Sequence, residues 1–145
     1  MTMTSSLPML DLKAMPVGEH LPTSPLPALT KADFENFMRA GDEFHPIHSD
    51  VEYARAAGMK DIVVPGLLLL AHMSRYLTGC APRDRVREFG ARFVGVSYPS
   101  DALTVGGTLL DRFETDGETR VRLDLRISDQ DAAVKVRGDA VVAVC

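Results

Sequence analysis

Between Gly41 and Asp50 the chain reads Gly-Asp-Glu-Phe-His-Pro-Ile-His-Ser-Asp, which sets Asp42, Glu43, His45 and His48 in one short loop. Carboxylates and imidazoles exchange protons readily near neutral pH, and Pro46 stiffens the backbone between the two imidazoles. The cluster can run general acid–base chemistry if a scaffold holds Glu43 or Asp42 against His48, and if a separate donor stabilises charge developing on the substrate. The same side chains are chemically able to bind a metal. However, His45-Pro46-Ile47-His48 is not a helical ligand pair and no second cluster completes a coordination set, so no metal is expected.

What must position this loop can be read from the rest of the chain. At 145 residues one domain is expected, long enough to bury a core without disulfides. The net charge is −4 and the arginines lie among acidic neighbours, which argues against a nucleic-acid stripe. Cys80 and Cys145 are the only cysteines, too few for a disulfide framework. Met1 to Ser6 has neither a charged n-region nor a following apolar run, and the longest apolar stretch, Val63 to Ala71, contains Pro65 and Gly66. No signal peptide and no membrane span are expected, and a cytoplasmic protein is.

Residues 1–29 hold five prolines and read as an extended arm, with room for a first strand from Leu10 to Val17. The main domain is expected over residues 30–145. Thr30 followed by Asp33 is a helix-start signature, and Phe34, Phe37 and Met38 recur at helical spacing, so a helix is predicted from Lys31 to about Ala40 with Gly41 as its stop. Asp50 is placed to cap a second short helix that Gly58 ends. Pro65 and Gly79 bracket a third helix, apolar on every side in its first half and therefore a buried core helix. From Val86 onward the period changes to two, most clearly where Val121, Leu123, Leu125 and Ile127 alternate with Arg120, Arg122, Asp124 and Arg126. Four long antiparallel strands with one apolar face need a cover, and the buried helix is the only element apolar enough to supply it.

A curled antiparallel sheet around a central helix, an α+β architecture, resembles the hot-dog fold. The loop His45-Pro46-Ile47-His48-Ser49-Asp50 resembles the signature of the MaoC-like (R)-specific enoyl-CoA hydratases and dehydratases, whose pattern is Gly-Asp-x-Asn-Pro-(Ile/Leu)-His. Tyr53-Ala54, Gly58, Pro65-Gly66 and Gly138-Asp139-Ala140-Val141-Val142 also fall where that family would place them. The resemblance covers Thr30 to the C-terminus. It implies a catalytic carboxylate five positions before the His, which is Glu43; aligning Gly41-Asp42 with the family's Gly-Asp instead requires one inserted residue and makes Asp42 the acid. His45 stands in place of the Asn that braces the site.

The chemistry so implied is hydration of a trans-2-enoyl thioester, or dehydration of a 3-hydroxyacyl thioester, carried on CoA or an acyl-carrier protein, with no cofactor. Glu43 and His48 would flank the attacking water, and the backbone amide of Gly66 at the helix start would hold the enolate oxygen. Ser74 would line the acyl pocket, beside His45 and Pro65. Arg83, Arg85, Arg87 and Arg92 are candidates to meet the carrier's phosphates, though a solvated face is the simpler reading. A homodimer formed through an open sheet edge is expected, or a heteromer with another MaoC-like chain. Two competing readings are a hot-dog thioesterase, disfavoured because Gly66 to Gly79 carries no Asp or Glu, and a partner-dependent subunit that shapes an acyl pocket without turning over substrate.

Overall fold

The computed structural model describes residues 9–144, so the expectations for Met1 to Ser6 and for Cys145 lie outside the described residues. Helix α1 (Lys31–Gly41) begins at a reciprocal cap: Thr30 accepts from the Asp33 amide, and the Asp33 carboxylate accepts from the Thr30 amide at 2.8 Å. Its Phe34 and Met38 are buried. The stop differs from expectation by one residue. Gly41 stays in the helix and Asp42 takes the left-handed position at φ 53°, a conformation that Asp tolerates better than most side chains.

A 3-10 turn (Pro46–His48) and the short α2 (Val51–Ala56), capped by Asp50, lead to the buried helix α3 (Gly66–Cys80). Pro65 is the residue just before α3, as expected, but Gly79 lies inside its last turn and Ala81 closes it by donating to Leu77 O. Then follow β2 (Val86–Phe93), β3 (Thr104–Thr115), β4 (Glu118–Ser128) and β5 (Val134–Ala143). The β3–β4 hairpin turns on Asp116 and Gly117, both at positive φ, the geometry that matches strand twist.

The first strand, β1 (His20–Pro25), forms later in the arm than the Leu10 to Val17 segment predicted from sequence. It tolerates Pro22 and Pro25 because it is an edge strand, bonded only to β3 and with a register shift between Leu21 and Ser24. The segment expected to be a strand is instead turned and pinned: one guanidinium nitrogen of Arg112 donates to the carbonyls of Leu12, Lys13 and Met15.

The sheet order is β1-β3-β4-β5-β2, antiparallel throughout. Its inner face carries Val121, Leu123, Leu125, Ile127, Leu109 and Val136, fully buried against Met73 and Leu77 of α3. Two glycines flank Leu125 in one cross-strand row, Gly107–Leu125–Gly138–Ala91, and only Gly138 lies where α3 comes close. A Cβ on Gly107 would run into the Asp124 carbonyl, and one on Gly138 into Met73 Sδ. Backbone cannot swing aside as a thioether can. Gly107→Ala is therefore expected to cost about 1–3 kcal/mol or more, and Gly138→Ala less, as read from urea midpoints.

At the far end of the sheet Arg87 and Arg120 both grip Glu118, at 2.7 Å and 2.9 Å. The hydrogen bond from Arg87, then that from Arg120, takes the Glu118 carboxyl from an ordinary 4.5 down to about 2. Because the folded value is depressed, the stability it contributes is present above pH 4.5 and is lost as pH falls through about 2. Melting curves across that window should show a shallower acid slope for Glu118→Gln than for the parent.

Candidate active site

The loop after α1 is ordered by its own backbone. Glu43 N donates to Met38 O, His48 N to His45 O, and Asp50 N to Pro46 O, folding the chain into a tight turn with half-buried His48 at its end. His45 caps this turn: its Nδ1 accepts from Ile47 N at 3.2 Å, so its neutral ring carries the proton on Nε2. The His45 ring stands edge-on to Tyr53 at 5.7 Å and to His48 at 6.1 Å between centroids.

His48 is fixed by a different bond. Its Nδ1 lies 2.7 Å from Val63 O. A carbonyl can only accept, so Nδ1 carries the hydrogen and the neutral ring presents a lone pair at Nε2. The same two segments are tied a second time by Val63 N donating to Ile47 O, and the next residue, Val64, donates to Ser97 O. Val63 stands three residues before Gly66. The histidine is thus held directly to the backbone that enters α3.

That helix start carries no side-chain cap. With Leu68 N and Leu69 N both donating to Pro65 O, the first-turn amides left without an intrahelical partner are those of Gly66 and Leu67. Gly66 has no side chain to shield them, and the Phe93 ring closes in, 3.1 Å from where a Cβ would stand. Leu67 and Phe93 are exposed apolar side chains beside this opening, at 54% and 51%.

The other expected residues are distributed differently. Asp42 and Glu43 are exposed, and among the described residues neither carboxylate has a hydrogen bond or ion pair. Ser74 donates to Ala71 O within its own helix, leaving only its lone pairs for a ligand. Pro65 is buried. Arg87 is committed to Glu118, while Arg92 has no such partner among the described residues. Among the described residues no three His, Cys, Asp or Glu side chains gather as metal ligands, and no helix is long and apolar enough to cross a membrane. Val63, Phe93 and Ser97 were not foreseen. Val63 and Ser97 contribute carbonyls, which residue type does not encode, and Phe93 reaches Gly66 only through the curl of the sheet.

Five antiparallel strands curled about one buried helix are a hot-dog architecture. The MaoC-like domain family matches residues 13–128, which include the histidine turn and all of α3, and the chain belongs to that family. Over 72 residues, 48% of this chain, it is 36% identical to enoyl-CoA hydratase ChsH3 of Mycobacterium tuberculosis. Over 73 residues it is 37% identical to fatty acid synthase subunit beta of Aspergillus oryzae. The matched regions span 25% and 4% of those relatives. Among solved structures, the (R)-hydratase from A. caviae involved in PHA biosynthesis superposes with a TM-score of 0.74 at 20% identity, covering 92% of this chain and 99% of that one. The ChsH1–ChsH2 complex of Mycobacterium tuberculosis gives 0.72 at 23%, covering 88% and 96%. At such identities the likeness is one of fold.

Proposed function

We propose that this protein is a carbon–oxygen lyase that interconverts a trans-2-enoyl thioester and a 3-hydroxyacyl thioester, carried on CoA or an acyl-carrier protein. The observation that carries this reading is the 2.7 Å bond from His48 Nδ1 to Val63 O, which aims a basic nitrogen from the same backbone segment that presents the Gly66 amide. In the proposed reaction one water sits between His48 Nε2 and the Glu43 carboxylate. Its oxygen bonds to the β-carbon as one of its protons passes to this pair. The alkene electrons move into the thioester carbonyl, whose oxygen is held by Gly66 N–H at the positive end of α3. A proton returned to the α-carbon completes addition of one water. The thioester acidifies that α-position, so the scheme requires neither cofactor nor metal. Asp42 is the alternative acid, with Pro65, His45 and Ser74 on the substrate side.

A second reading keeps the acyl pocket but needs a partner. It is favoured by the exposure of both candidate carboxylates, neither of which has a hydrogen bond or ion pair among the described residues to orient it toward His48. The β2 edge, with Phe93 and Val94 exposed at 51% and 49%, is the surface proposed to pair with a second copy or with another MaoC-like chain. A cytoplasmic location is part of the same proposal. Hydration of a panel of trans-2-enoyl-CoA thioesters, from crotonyl to long-chain and cyclic, followed by loss of enoyl absorbance, tests both readings. Turnover by the protein alone supports the first. A folded protein without turnover on any of them would overturn it and direct attention to a partner chain or a carrier-bound substrate.

A further inference from the structure

The face of the sheet turned away from α3 carries charge in register. Arg126 of β4 lies directly opposite Arg137 of β5, and Arg137 directly opposite Arg92 of β2, so three guanidinium-bearing positions form one row. The next row on the same face sets Asp124 opposite Asp139. Like charges facing each other across strands are unfavourable, and neighbouring opposite charges only partly relieve this row. Arg126 is 3.3 Å from Asp124, and Asp139 is engaged by Arg122 at 3.0 Å. Arg92 and Arg137 are exposed and, among the described residues, have no hydrogen bond or ion pair.

Arg92, Arg137, Arg122, Asp124 and Asp139 line an open, shallow groove of about 460 Å³ beside Gly90, with the exposed Leu110 on its wall. Two uncommitted planar forks at adjacent positions suit phosphate oxygens, which accept from several N–H groups at once. The carboxylates of Asp124 and Asp139 in the same groove ask for hydroxyl or amino donors on the ligand, and Leu110 for a flat or apolar part. An acidic protein surface would meet those carboxylates unfavourably, and the net charge of −4 disfavours a nucleic-acid strand.

We infer that this outer groove, centred on Arg92 and Arg137, binds a small phosphorylated nucleoside at a site separate from the histidine loop. Two sources share this chemistry: a free nucleotide, and the nucleotide head of CoA if the proposed function holds. The site does not depend on that function, because binding is measured without turnover.

The test is calorimetric titration of the full chain with ADP, with pyrophosphate and adenosine alongside, at low and at physiological salt. ADP should bind with an affinity that falls as salt rises, pyrophosphate more weakly and adenosine least. Arg137→Ala and Arg92→Ala should each weaken ADP at least tenfold without lowering the melting temperature, which relief of the like-charge row would if anything raise, and without changing the circular dichroism. Competition by CoA, together with a raised KM for CoA thioesters and an unchanged KM for pantetheine thioesters in Arg137→Ala, would assign the site to the CoA head. Absence of competition would assign it to a free nucleotide. No ADP binding by the parent, equal binding by both arginine variants, or pyrophosphate binding as tightly as ADP would overturn the inference.

Discussion

His48→Ala is expected to lower kcat for enoyl-thioester hydration about 100- to 10,000-fold, the usual worth of a positioned acid–base group, while leaving KM within a few fold. The bond to Val63 O dictates why the loss should be so large. With Nδ1 committed at 2.7 Å, Nε2 is the one nitrogen free to touch water, and no neighbouring imidazole can replace it, because His45 is turned to cap Ile47 N. A comparison of His48→Ala with His48→Gln, which can preserve a bond to Val63 O without a basic nitrogen, would separate positioning from proton transfer. Equal losses mean that the base is what matters. Run beside these, Glu43→Gln should be nearly as damaging and Asp42→Asn much less so, measured by initial rates on the best thioester of the panel. The reverse ranking would move the acid to Asp42 and, with it, the alignment of the loop by one residue.

Gly66→Ala should separate activity from stability more sharply than any other substitution in the site. A methyl group there meets the Phe93 ring at 3.1 Å, a side chain exposed enough to swing away, and alanine is the better helix former, so the melting temperature should change little. Activity should nevertheless fall about a hundredfold or more. The added carbon and the displaced ring occupy the approach to the free amides of the first turn, where a single oxyanion donor is worth that much. Adding Phe93→Ala should restore part of the loss if the ring is what obstructs the amide. Failure of Gly66→Ala to reduce kcat would remove Gly66 from the mechanism and leave the helix start a structural feature.

Much of this arrangement was legible in the chain because its causes are local. The Thr30–Asp33 reciprocal cap, the Asp50 cap, the Asp116-Gly117 turn and the alternation from Thr119 to Ile127 each follow from residue type at fixed spacing. The first strand was misplaced for a physical reason. Strand signals are weak where prolines are dense, and the segment from His20 to Pro25 becomes a strand only because β3 offers it an edge that tolerates them. Arg112, from the far side of the chain, holds the preceding residues in a turn instead.

The sequence by itself determined which residues could do chemistry, that a buried helix would start at Gly66, and that the strands would present one apolar face to it. Those properties depend on side-chain type and period. Only the tertiary structure decided that His48 is tied to the backbone entering that helix, that Phe93 closes over Gly66, and that Arg92 and Arg137 face each other on the outer surface. Each of these depends on a backbone carbonyl or a strand register, and neither is written in the identity of any one residue.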